Sequence, residues 1–339
     1  MKRDTNLTRV VVLAVVIVAV VTLAVITISK YNQFRAQTQT GSKSEPNVST
    51  TINNTREAIE DEAITFRGVR YVPRRGLETC LILGVDRTEK QIASGMTNGQ
   101  ADVLLLLVMD PRESRYRILQ LNRDMVTQVN VLAPDGIVSG SLYKPLCLAH
   151  AYAHGEEMGC ENTVNAVRWL LQDVPVDGYA ALNLESVAAL NDAVGGVTVT
   201  IRGDLTAVDP SFKDGATVTL DAEKAELFVR ARMSLGQTNA DRMQRQEQFM
   251  QAWMNTARTK SQQDTQFAMR LLQKLEPLMT TNMTEKRLSG IASDAGKYKN
   301  EGFLTIDGEY RTVDGFHYYY ADEESRMETV IELFYQAEE

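Results

Sequence analysis

The chain is poor in the residues on which many familiar active sites are built. Its 339 residues include only three His, three Cys and two Trp. So few His leave a Ser-His-Asp hydrolase poorly supported, and so few Cys exclude a disulfide-dense scaffold. The phosphate-cradling patterns G-x-G-x-x-G and G-x-x-x-x-G-K-[ST] are missing, as are G-x-S-x-G and C-x-x-C. His150-Ala151-Tyr152-Ala153-His154 keeps the i, i+4 spacing of a zinc protease, but Ala151 stands where the Glu base is needed. A packed or solvated helix face is the reading there. Positive charge is in deficit: 36 Lys+Arg against 44 Asp+Glu give a net charge of −8, which argues against a general nucleic-acid binder. A mean hydropathy of −0.23 excludes a polytopic membrane protein. With 44% apolar and 24% charged residues, the composition is globular.

One long apolar run does occur. Val10 to Ile28 carries no charge, Pro or Gly. As a helix it would reach roughly 28 Å, close to the hydrocarbon thickness of a bilayer. The run ends in Ser29-Lys30-Tyr31-Asn32 with no small-residue cleavage pattern, so a retained anchor is expected rather than a signal peptide. Lys2, Arg3 and Arg9 precede it and Lys30 and Arg35 follow it. The charge bias is therefore small, and orientation rests on the short leading tail and the large following domain. The expected plan is a cytoplasmic tail over 1–9, a single transmembrane helix over 10–28 and a polar tether over 29–62. An extracellular domain over 63–339 follows. The tether is rich in Gln, Thr, Asn and Ser and lacks the apolar content to offset its ordering entropy.

Beyond the tether, strand and helix signals alternate. Thr79–Val85 and Val103–Met109 are continuous apolar runs, as strands buried on both faces require. Tyr116–Leu121 and Met125–Leu132 read as neighbouring strands. Helices are predicted over Glu161–Gln172, Glu185–Asp192, Asp221–Ala231 and Thr238–Thr259, with a strand over Gly196–Ile201. The fold class implied is α/β, an α-β-α sandwich around a central mixed sheet preceded by the transmembrane helix.

The residues with chemistry sit at strand ends and helix starts. Asp86-Arg87 closes one buried strand, Gln100-Ala101-Asp102 precedes the next, and Asn122-Arg123-Asp124 follows a third. Two carboxylates at adjacent strand ends suit Mg²⁺, which accepts one or two carboxylates and completes its shell with phosphate oxygens and water. Arg230 and Arg232 close one helix. On the next, Arg242, Arg245 and Gln246 share a face, whereas Met243, Met250, Trp253 and Met254 occupy a core-like stripe. Arg is the preferred bidentate partner of phosphate. A net-acidic chain that gathers Arg in short motifs is suited to a polyanionic ligand, although each Arg taken singly reads better as a surface ion pair. Cys147 and Cys160 flank a short segment, and an external domain permits a disulfide between them. Two unpaired thiols are the alternative, and Cys80 is expected to be a buried thiol.

Taken in order, LILGVDR, QAD ahead of an apolar strand, QLNRD, LCLAHAYAHG, DGYAALN, LNDAVGGVTVTI, FVRARM and DRMQRQ resemble the LytR-CpsA-Psr family of cell-wall glycopolymer ligases. The resemblance covers core motifs over 77–257, with further helices and strands over 258–339. It implies a phosphotransferase that moves a teichoic-acid-like or capsular glycopolymer from an undecaprenyl-pyrophosphate carrier to peptidoglycan. It also implies a Mg²⁺ cofactor held by Asp86 and Asp102. Pyrophosphate binding is implied for Arg87, Arg123, Arg230, Arg232, Arg242 and Arg245, with support from Gln246 and Lys144. Asp86, Asp102 and Arg123 are the implied catalytic residues. Two other activities fit the same pocket: a non-catalytic polyprenyl-phosphate-binding envelope regulator and an external polyprenyl-pyrophosphatase.

Three departures from the family pattern stand out. The stretch between Asp86 and Asp102 is long. Cys147 takes the register of the family's Lys, with Lys144 three residues earlier. Asn239 replaces an acidic residue, with Asp241 close by.

Overall fold

The computed structural model describes residues 63–86, 98–183, 185–231, 239–264, 267–295, 297–313 and 316–338. The expected tail, anchor and tether lie outside them. Among the described residues, no helix is long and apolar enough to cross a membrane. Within the span read as one external domain, two compact units form. Among the described residues, one comprises 63–181, Thr280–Met283 and Glu301 onward. The other comprises Leu182–Met279 and Thr284–Asn300.

The described residues open with hairpin β1 (Ile64–Phe66) and β2 (Val69–Pro73), followed by β3 (Glu78–Asp86), β4 (Gln100–Asp110) and β5 (Arg115–Gln120). β3, β4 and β5 form an antiparallel meander in which Leu81 faces Leu106 and Leu106 faces Leu119. Leu104 to Met109 are all buried, as their unbroken apolar run requires. The β3–β4 register slips between Gly84 and Val85. A Cβ on Gly84 would lie 2.9 Å from that of Val103, so only glycine lets the strands approach there.

β6 (Val126–Leu132) is not the sheet neighbour of β5 that the sequence predicts. It pairs with β7 (Val138–Pro145) in a separate two-stranded ribbon. The turn at Asn122 turns the chain away: its Oδ1 accepts from Asp124 N at 3.0 Å, and its carbonyl accepts from Met125 N at 3.0 Å. Helices α1 (Leu148–Ala151) and α2 (Glu156–Leu170) follow, then β8 (Tyr179–Asn183). Gly155, at φ +96°, separates the two helices. His150 and His154 therefore do not share one helix. His150 is fully buried and its Nδ1 lies 2.9 Å from the Gly99 carbonyl.

The second unit holds α3 (Glu185–Val194), hairpin β9 (Val197–Thr200) and β10 (Thr217–Leu220), α4 (Ala222–Arg230), α5 (Asn239–Gln263) and α6 (Phe267–Leu275). Asp221 caps α4 by accepting from Lys224 N at 2.8 Å, the role its position predicts. Asn191 ties the unit together: its Nδ2 donates to the Leu220 carbonyl and its Oδ1 accepts from Val197 N, both at 2.9 Å. Trp253, buried as expected, donates Nε1–H to the Leu190 carbonyl at 2.6 Å.

After β11 (Met279–Thr281), α7 (Glu285–Ala295) and β12 (Lys299–Leu304), the chain completes the first unit. There it forms hairpin β13 (Gly308–Val313) and β14 (Phe316–Ala321), helix α8 (Glu323–Phe334) and β15 (Tyr335–Ala337). The central sheet has six strands in the order β11-β8-β3-β4-β5-β12. Mixed α/β architecture is thus as predicted.

Candidate active site

In the first unit the motif residues converge on Arg123. Its position is set by the Asn122 turn at the end of β5, and it is only 8% exposed. The guanidinium Nη1 pairs with Asp102, and Nη2 donates to Gln100 Oε1 and, at 3.1 Å, to Cys147 Sγ. Nε lies 3.3 Å from Asp124 Oδ1. The backbone holds the same group together. Cys147 N donates to the Arg123 carbonyl at 2.9 Å, and Ala101 N donates to the Cys147 carbonyl at 3.3 Å.

The strand slip at Gly84 brings the predicted carboxylates into this neighbourhood. Asp86 faces Gln100 across β3 and β4, while Asp102 falls at the irregularity between the paired residues Ala101 and Val103. Arg87 lies outside the described residues. Asp102 and Asp124 flank one guanidinium, two negative charges against one positive, and Asp86 stands opposite Gln100 on the neighbouring strand. Added positive charge is what a pyrophosphate would need there. Among the described residues, no group of three or more His, Cys, Asp or Glu gathers as a complete metal cage. The carboxylate oxygens of Asp86 and Asp102 are the hard donors that Mg²⁺ takes, and one or two of them suffice where phosphate and water complete the shell.

Three members of this cluster were not singled out from the sequence. Gln100 and Asp124 adjoin motif residues, so their neighbours were signal enough. Tyr310 had no local signal. It accepts from Asn122 Nδ2 at 2.9 Å and reaches Asp124 Oδ2 at 3.4 Å, from 188 positions along the chain.

In the second unit, Arg242, Arg245 and Gln246 share a buried face of α5, with Arg242 3% and Arg245 6% exposed. Arg245 Nη2 donates to the Ala231 carbonyl and Gln246 Nε2 to the Val229 carbonyl at 3.5 Å. Both thus hold the C-terminal end of α4, whose last carbonyls have no partners within the helix. Burial holds the Arg245 guanidinium below its ordinary value, against the opposing charge of Asp241. Arg230 differs: its side chain is 45% exposed and forms an i, i+4 pair with Glu226 at 3.0 Å. Arg232 lies outside the described residues.

With this geometry in place, comparison with known proteins is informative. The model of the LytR_cpsA_psr family matches residues 26–334. The chain belongs to this family. One relative is the polyisoprenyl-teichoic acid–peptidoglycan teichoic acid transferase TagU of Bacillus subtilis, 29% identical over 254 residues, which are 75% of this chain and 76% of the relative. Similar folds include TagT bound to LI-WTA, with a TM-score of 0.57 and 22% identity over 76% of this chain and 90% of that one. Another is TagT with bound octaprenyl pyrophosphate lipid, with a TM-score of 0.53 and 22% identity over 76% and 89%.

One expectation needs correction in this LytR_cpsA_psr protein. Cys147 and Cys160 are not joined by a disulfide; all three cysteines are buried thiols. Cys147 Sγ is turned to Arg123, whereas Cys160 Sγ lies 3.8 Å from His150 Nε2 on α2. Different partners fix the two sulfurs. Lys144, expected to support pyrophosphate binding, stands elsewhere in the same segment. It lies on β7 opposite Thr127, and Cys147 is the residue of that segment that meets the guanidinium.

Proposed function

We propose that this chain is a membrane-anchored phosphotransferase. It moves a teichoic-acid-like or capsular glycopolymer from an undecaprenyl-pyrophosphate carrier to peptidoglycan. The observation that carries the reading is the Arg123 cluster: one buried guanidinium ringed by Asp102, Asp124, Gln100 and Cys147 at the end of the central strands. Family membership and the transferase relatives support the same class of reaction.

Phosphoryl transfer asks a protein chiefly for positioning and charge stabilisation. The acceptor hydroxyl, a muramoyl 6-OH by family resemblance, attacks the sugar-proximal phosphorus. A new P–O bond to the acceptor forms, the P–O–P bridge breaks, and undecaprenyl phosphate leaves with the electron pair. Arg123 offers planar donors to a phosphate oxygen and stabilises charge as it builds there. Asp86 and Asp102 are the carboxylates available to take the hydroxyl proton, and they would hold Mg²⁺. The bound cation would supply the positive charge that this acidic cluster lacks. In the second unit Arg242 keeps its assignment to phosphate, whereas Arg245 and Gln246 position α4. The Val10–Ile28 helix anchors the enzyme with its tail cytoplasmic and its catalytic residues outside the cell.

The test is to incubate the full chain in detergent micelles with a lipid-pyrophosphate oligosaccharide, Mg²⁺ and peptidoglycan fragments. The expected product is a phosphodiester-linked conjugate. Tight lipid binding without turnover would instead establish an envelope regulator. Phosphate-terminated oligosaccharide released without any conjugate would establish a pyrophosphatase.

A further inference from the structure

At the far end of β4 from Asp102, roughly 26 Å away along the strand, the first unit contains a second polar hollow. Two cavities of about 260 and 350 Å³ share Arg74, Asp110 and Gln336 in their walls. Leu77, Val108 and Ile331 give the smaller one an apolar floor. Tyr116, which lines it, is 1% exposed, yet its hydroxyl meets no hydrogen-bond partner. Arg74 Nε is likewise buried without one. Buried polar groups are almost always satisfied. Both orphaned groups carry a proton to donate, so the missing partner is an acceptor.

Charge narrows its nature. Around the two cavities Arg74, Arg75, Arg112, Arg115 and Arg117 face Asp110, Glu113, Glu301 and Glu332, five cations against four anions. Three of the carboxylates already have partners. Arg115 lies 3.6 Å from Asp110 and 3.4 Å from Glu301. Arg117 pairs with Glu301 at 3.1 Å and with Glu332. Asp110 Oδ1 also accepts from the backbone N–H groups of Arg112 and Glu113, each at 3.2 Å. The lining thus carries one more cation than anions, a balance that suits a monoanion better than a dianion.

We propose that this hollow is a second ligand site that takes a carboxylate, from a small aliphatic acid or a peptide carboxyl terminus. One oxygen accepts from Arg74 and the other from Tyr116, while the aliphatic body rests on Leu77, Val108 and Ile331. Burial keeps the Tyr116 phenol protonated far above neutral pH, so it remains a donor. Arg74 is held in place by its own N–H, which donates to the Phe334 carbonyl at 2.7 Å. The site stands apart from the transfer reading and survives if that reading fails.

The experiment is calorimetric titration of the full chain in detergent micelles with propionate, acetyl-Ala-Ala, the amide of each, and inorganic phosphate. Carboxylates are expected to bind and the amides and phosphate at least tenfold more weakly. Tighter binding of acetyl-Ala-Ala would identify a peptide terminus, and equal binding a small acid. Arg74→Gln should weaken carboxylate binding about ten- to a hundredfold and Tyr116→Phe about two- to tenfold. Tyr116→Phe loses no hydrogen bond in the ligand-free protein, so its melting temperature should stay at or above wild type. No heat with either carboxylate, equal binding of phosphate, or unchanged affinity in both variants would overturn the proposal.

Discussion

Arg123 and Arg245 are both motif arginines and both almost fully buried, yet they are held by different chemistry. Arg123 is surrounded by side chains: two carboxylates, an amide and a thiol. Arg245 donates to the backbone carbonyl of Ala231, just past α4. A carboxylate can pass from a guanidinium to a metal ion when phosphate arrives, because both partners stay satisfied in the exchange. A carbonyl at a helix end has no such alternative. Burial alone therefore does not assign a role to either arginine. The partner does.

The sharpest way to break this contrast is Arg123→Ala. Removing one member of a largely buried pair should cost about 3 kcal/mol of stability. Transfer should fall at least about a hundredfold, and Arg123→Lys should recover stability more than activity because it lacks the planar fork. Urea unfolding and the conjugate assay would show both. Arg245→Ala comes next, with an expected loss of about 2 kcal/mol and a binding defect that vanishes under strongly stabilising conditions. Intact stability with lost lipid binding would turn Arg245 back into a phosphate ligand.

Smaller effects test the sulfurs and the surface. Cys147→Ser should cost under about 1 kcal/mol, and adding reductant to wild type should leave its melting temperature unchanged. Burial, assisted by Glu161 and Glu157, pushes the Cys160 thiol up to about 12. Only a thiolate reacts, so at pH 8 alkylating reagents should leave Cys160 unmodified until the chain is unfolded. Mass spectrometry of the peptides would show it. Arg230→Ala should be the mildest, within about 0.5 kcal/mol, because an exposed i, i+4 pair contributes little.

What was legible in the sequence follows from range. Continuous apolar runs marked β3 and β4, and Asp221 marked the start of α4, because both signals are local. The helix predicted from Glu161 begins at Glu156, where Gly155 at positive φ breaks the chain. Sheet membership was less accessible. Nothing within Val126–Leu132 says that it pairs with β7 and leaves the place beside β5 to β12. The site divided in the same way. Asp102 and Arg123 lay in recognisable motifs, whereas Tyr310 became visible only through its contact with Asn122. The cysteine pairing failed because spacing along a chain does not report which way two sulfurs point.

The small sheet β1-β2-β15 carries a consequence for how the chain acquires its structure. Tyr335 pairs with Pro73 and Ala337 with Tyr71, and Arg67 meets Glu324 from 257 positions away. Contacts of such long range are formed only after a large loop has been closed, which slows folding. The opening hairpin must therefore wait for the last helix and strand to emerge. During synthesis the exposed edge of β2 would be open to pairing with another chain. Strand β15 thus acts as a latch on folding, and a chain lacking it would keep an open strand edge and be prone to aggregate.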